Sequence, residues 1–170
     1  MNKKVIEILN ETRDYLIKEI SALSFEEFNQ KPDPDSWSIA QVCHHLYLTE
    51  KVTTKVMASE LKSENRNKAE RKRVDLLLNR SIKIKAPKMV EPNIEPFRVQ
   101  EIQTLLNQSR NKLKALLSTI EEESILAEKT IKHPFFGELS LDQWIELIYL
   151  HEQRHTEQII EIKNLIDVKQ

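Results

Sequence analysis

Glycine is almost missing: Gly137 is the one glycine in 170 residues, where ordinary usage gives roughly 12. A phosphate-cradling loop needs several residues without a Cβ close to the phosphates. Walker-type nucleotide binding and the dinucleotide fingerprint are therefore excluded. Folds built from many tight hairpins are disfavoured on the same ground, because their turns favour glycine. Cysteine is equally scarce. Cys43 stands alone, which excludes an internal disulfide and any all-cysteine metal cluster. No apolar run reaches the length of a membrane span. Net charge is close to absent as well, at −1 from 26 basic and 27 acidic residues. The start, Met1-Asn2-Lys3-Lys4, leads into a charged amphipathic stretch rather than a secretory signal, and the cytoplasm is the expected location.

What the chain does contain is helical periodicity. Hydrophobic residues make up 39%, enough for one core, and the length fits a single domain over residues 1–170. Residues 3 to 23 place Val5, Ile6, Leu9, Leu16, Ile20 and Leu23 on one side. Ser24-Phe25-Glu26-Glu27 reads as a capping box, and Lys31-Pro32-Asp33-Pro34-Asp35 as a breaker. Ser38 and Gln41 have the spacing of a second capping box, opening a helix to about Leu61. Its inward stripe is Ile39, Val42, Cys43, Leu46, Glu50, Thr53 and Met57.

Residues 62 to 96 form a long connection, with a short helix at Leu76-Leu77-Leu78 and an extended stretch set by Pro87, Pro92 and Pro96. A connection of this length crosses the bundle or covers a site. Residues 97 to 120 resume helical spacing. The last helix opens at Ser140, with Gln143 repeating the capping pattern, and runs to about Ile166. Four long amphipathic helices without a strong strand signal predict an all-α four-helix bundle. The long crossover predicts that the second and third helices run in the same direction.

Three of the five histidines fall where chemistry is expected. On the last helix the inward stripe reads Trp144, Ile148, His151, His155, Ile159, Ile162 and Ile166, in steps of three and four. His151 and His155 are one turn apart, about 6 Å between their bases, so both rings can converge on one divalent ion. Two core histidines, each with a hydrogen-bond partner, are the alternative. On the second helix, His44 shares a solvated side with Lys51 and Lys55. His45 points inward, and it either completes a three-histidine site or packs at a helix boundary. His133, in a loop before Pro134, is not expected at the site.

Glu50 interrupts an apolar stripe and is the candidate catalytic residue. It either bonds a ligand imidazole or a bound water, or forms a structural pair with an arginine such as Arg154. Gln158 either orients a ligand or packs. Cys43 reads as a small core residue, and Trp37 and Trp144 as core anchors. His151-Glu152-Gln153-Arg154-His155 satisfies the zinc-protease pattern in form. The metzincin extension fails at Gln158 and Glu161, and no strand edge is signalled to hold a peptide.

Trp37-Ser38-Ile39-Ala40-Gln41 with His45-Leu46, then His133-Pro134-Phe135-Phe136-Gly137-Glu138-Leu139, Gln143-Trp144 and finally His151 to Ile159 resemble the DinB/YfiT-like superfamily over nearly the whole chain. The resemblance implies an up-down-down-up bundle and a divalent ion held by His45, His151 and His155. It also implies kinship with enzymes that use low-molecular-weight thiols, such as bacillithiol- or mycothiol-dependent transferases and isomerases. Leu48 departs from relatives that carry an aspartate there. Imidazole suits zinc, nickel, copper and iron alike; zinc or nickel is the expected cofactor, with a small thiol as co-substrate. Either a thiol transferase or a hydrolase follows, and a non-catalytic stress-related binding module is the alternative. The expected partner is a small-molecule substrate. No membrane partner is expected, and a homodimer is left open. The run from Lys62 to Lys88 holds ten basic and three acidic residues, but no aromatic for base stacking. Nucleic acid is therefore the weaker reading of that run.

Overall fold

The computed structural model describes residues 3–81 and 85–167. Met1 and Asn2, residues 82–84 of the basic run and residues 168–170 lie outside the described residues. Four long helices carry the fold: α1 (Lys3–Ile20), α3 (Ile39–Lys62), α4 (Val99–Ser118) and α5 (Leu141–Asp167), with the single-turn α2 (Phe25–Asn29) after α1. Both capping boxes form as their spacing requires. Ser24 and Ser38 accept from the backbone N–H of Glu27 and Gln41, and those side chains bond back to the cap N–H. The third proposed cap does not. Both ends of the Gln143 amide bond the main chain of Lys72, at 2.8 and 3.0 Å, a partner 71 residues away that local spacing does not reveal.

Cross-helix contacts fix the directions. Thr12 meets Glu152 and Glu19 meets Lys163, so α1 and α5 run in parallel. Glu50 meets Arg110, and Met57 packs in one cluster with Leu113 and Leu117, so α3 and α4 also run in parallel. Asn10 meets Lys114 and Ser21 meets Gln103, which sets α1 against α4. The order is therefore up-down-down-up.

The core is split along the bundle axis. One half gathers Leu16, Ile20, Phe28, Ile39, Cys43, Leu46, Ile102, Leu106, Ile159 and Ile162. The other gathers Leu9, Met57, Leu113, Leu117, Leu141, Ile145 and Ile148. Between them lie buried Thr12, Arg13, Glu50, Ser109, Arg110 and Glu152. The α3–α4 crossover runs along the outside of α5. Its 3-10 turn at Val74–Leu78 packs Val74 and Leu77 on Leu139, Leu147 and Leu150. It then returns to α3 through a second turn at Lys88–Val90, where a fully extended stretch was expected.

The four-helix bundle carries one small addition that the sequence did not signal. Strands β1 (Thr130–His133) and β2 (Gly137–Ser140) form an antiparallel hairpin just before α5. Gly137 sits at φ +74, the left-handed region where any other L-residue costs roughly 1 kcal/mol, and this accounts for the lone glycine. Among the described residues no helix is long and apolar enough to cross a membrane.

Candidate metal centre

His45 comes from α3, and His151 and His155 from successive turns of α5. Their ligand nitrogens all lie within 4.8 Å of one another. His151 Nε2 is 3.2 Å from His45 Nε2 and 3.1 Å from His155 Nε2. The far side of two rings is fixed by acceptors. His45 Nδ1 lies 2.7 Å from the Val90 carbonyl, and His155 Nδ1 lies 2.7 Å from Gln158 Oε1. Both acceptors require a proton on Nδ1, which leaves the Nε2 lone pair facing the cluster. Trp37 packs against the His45 ring at 5.1 Å.

This arrangement fits a cation. With Nε2 of His45 and His155 both acceptors, a single His151 Nε2–H satisfies at most one of them well. A lone pair then faces a lone pair at hydrogen-bond distance. A tetrahedral ion with nitrogens about 2.0–2.1 Å away places those nitrogens about 3.3 Å apart, close to the two spacings from His151. Gln158 and Val90 act as the outer groups that orient metal-bound imidazoles in such sites. Sequence spacing identified Gln158 as a candidate. The Val90 carbonyl had no signal, because any residue supplies one and its position depends on the path of the crossover.

Burial lowers the pKa of all three rings. His45 is 5% exposed, and burial outweighs the opposing bond to Val90. His151 falls well below its ordinary value through burial and then its two histidine neighbours. His155 drops to about 3, chiefly from burial and then from His45, against the opposing pull of Gln158. The rings stay neutral, the form a metal requires. The linkage has a definite sign. Between the folded values and the ordinary value near 6.5, the unfolded chain binds more protons, so stability falls as pH falls through that window. The metal-free protein is expected to show a lower urea midpoint at pH 5 than at pH 7.5, with a smaller drop in His155→Gln. A midpoint that is flat or rises on acidification would contradict the buried neutral cluster.

Glu50 lies in the charged layer next to this cluster. Its Oε2 accepts from Arg13 Nη2 at 2.9 Å and from the Ser109 hydroxyl, and its Oε1 accepts from Arg110 Nε at 2.6 Å. The pairing is with Arg13 and Arg110 rather than Arg154, which donates to the carbonyls of Leu77 and Asn79. Glu152 closes the layer. Its Oε1 takes Arg13 Nε at 2.6 Å, and its Oε2 takes Thr12 Oγ1 at 2.6 Å and Arg110 Nη2 at 2.8 Å. Burial pushes the Glu152 carboxyl up, but Arg13, Arg110 and the Thr12 bond outweigh it, and the net shift is downward. With both oxygens engaged inside the bundle, Glu152 does not fill the general-base role of a zinc protease.

The other residues read from the sequence fall outside the cluster. His44 Nδ1 accepts the Asn93 N–H at 2.9 Å, and its ring lies against Phe97. His133 Nδ1 accepts from the N–H groups of Phe135 and Phe136 in its own turn. Cys43 is buried, which pushes its thiol pKa up and keeps it unreactive. Trp144 donates to the Ile131 carbonyl and packs in the core. In the basic run, Arg66, Arg71, Arg73 and Arg80 pair with Glu128, with Asp142 and Glu146, with Asp75, and with Glu161.

Residues 8–159 match the model of the DinB superfamily. The uncharacterized protein YuaE of Bacillus subtilis (strain 168) is 34% identical over 160 residues, covering 94% of this chain and 98% of its own. Among solved structures, YfiT from Bacillus subtilis superposes with a TM-score of 0.68 at 17% identity, over 98% of this chain and 90% of its own. It is described as a probable metal-dependent hydrolase with an unusual four-helix bundle topology. The four-helix bundle protein TT2238 gives a TM-score of 0.60 at 18% identity, over 93% of this chain and 97% of its own.

Proposed function

The chain belongs to the DinB superfamily, and from that premise we propose a metal-dependent enzyme in which His45, His151 and His155 hold one divalent ion, zinc or nickel. Its substrate is a small molecule, attacked by water or by a low-molecular-weight thiol. The observation that carries the reading is the meeting of three Nε2 atoms from two helices, with two of the rings oriented from behind. Three neutral imidazoles leave a bound ion its full positive charge, and such an ion supplies Lewis-acid activation of water or a thiol at neutral pH.

The chain's own residues do the positioning. Val90 and Gln158 hold two rings in one tautomer, and Trp37 covers a flank of His45. Glu50 is a positioning residue: it anchors α3 to α1 and α4 one turn beyond His45 and so sets the depth of that ring. The hydrolase reading is supported by the likeness to YfiT, and the thiol reading by the sequence resemblance. The basic run is assigned no nucleic-acid role, since four of its arginines are engaged by acids of the same chain.

Zinc- or nickel-loaded protein is to be offered small thiols with an alkylating or epoxide electrophile, and separately simple ester and amide substrates. Turnover in one set is expected, with a loss of at least about a hundredfold in His155→Ala. Turnover undiminished in that variant, or none in either set, would overturn the enzymatic reading.

A further inference from the structure

His151 differs from its two partners. The Nδ1 of His45 and of His155 each meets an acceptor, whereas the only contacts of the His151 ring nitrogens run through Nε2. Among the described residues its Nδ1 has no protein partner. His151 also borders a cavity of about 10 Å³, whose lining includes Arg13, Thr49, Glu50, Arg110 and Glu152. That is about the space one water requires, and a water there also needs two to four polar neighbours. The lining supplies them. Thr49 Oγ1 is a buried hydroxyl with no hydrogen-bond partner, a feature rare enough in folded proteins to call for an explanation. Glu50 and Glu152 border the same space, and each carboxylate retains lone-pair capacity beyond its present bonds.

We propose that this cavity is a binding site for one structural water. The water is held by Thr49 Oγ1 and the carboxylates of the charged layer; it takes the His151 Nδ1–H when Nε2 faces an ion, and donates to Nδ1 when the proton sits on Nε2 in the metal-free protein. It supplies His151 with the orienting acceptor that Val90 and Gln158 supply to the other two rings. Thr49 becomes a positioning residue for the metal centre, one step behind the ligands. The effect on metal affinity rests on the three-histidine reading; the water site itself does not.

Thr49→Val keeps the shape of the side chain and removes the hydroxyl. Zinc affinity, measured by competition with a chromophoric chelator, is expected to weaken about tenfold with no loss of melting temperature in the metal-free protein, and Thr49→Ser is expected to restore it. A high-resolution crystal structure of the metal-free wild type is expected to show one ordered water within hydrogen-bond distance of Thr49 Oγ1. A dry cavity would overturn the site whatever the metal result. Unchanged affinity in Thr49→Val, with wild-type protein binding zinc normally, would overturn its role in orienting His151. Absence of zinc binding by the wild type would instead fall on the metal reading and leave the crystallographic test standing.

Discussion

Replacing His151 with alanine is expected to abolish stoichiometric binding of zinc or nickel, raising the dissociation constant at least about a hundredfold. His151 is the middle ligand, within 3.2 Å of both other Nε2 atoms, and without it two nitrogens from different helices are too few to fill a tetrahedral site. The result can be read without knowing the reaction. An ion that binds only the folded state stabilises it by about 4 kcal/mol at a thousandfold excess over its dissociation constant. Wild-type melting temperature should therefore climb with added zinc, while the His151→Ala curve stays flat. Equal shifts in both proteins would place the ion elsewhere.

The second large effect concerns the charged layer. Glu152→Ala is expected to destabilise the fold by roughly 3–5 kcal/mol, read from urea denaturation of the metal-free protein. The substitution leaves Arg13 and Arg110, both about 5% exposed, with one carboxylate between them in place of two. Their remaining donors reach the carbonyls of Leu106 and Leu9 and cannot turn to water. A loss of this size is a large fraction of the stability of an ordinary domain. A change below about 1 kcal/mol would mean that water reaches the layer and that the two half-cores are less sealed than their burial implies.

The long helices were legible because their stripes repeat every three or four residues, and the capping serine Ser38 marked where one of them begins. His151 and His155 were legible for the same reason, since both sit in an inward stripe, and His45 lay at the edge of the stripe on its own helix. The charged layer was only partly legible. Glu50 stood out as a carboxylate between Leu46 and Thr53. Arg13 occupies the same kind of gap, four after Leu9 and three before Leu16, as does Arg110 between Leu106 and Leu113. A charge in an apolar stripe was the shared signal, and these three residues answer one another across the bundle. Glu152 was obscured by the protease-like pattern around it. The hairpin escaped because strands of four residues show no periodicity to speak of. The partner of Gln143 escaped because hydrogen bonding over 71 residues is decided by the path of the crossover.

The parallel pairing of α1 with α5 has a consequence for how the chain is made. Arg13 leaves the ribosome before its partner Glu152, which follows 139 residues later. Until then α1 has no parallel neighbour, and its guanidinium faces an acid on α3 without the second acid that completes its surroundings. Contacts so distant along the chain slow folding, because long loops must close before they are rewarded. The nascent bundle should thus remain loosely assembled until synthesis has passed α5. His151 and His155 arrive on that helix at the same moment, so an ion held by the cluster would be a timestamp of completed folding rather than its cause.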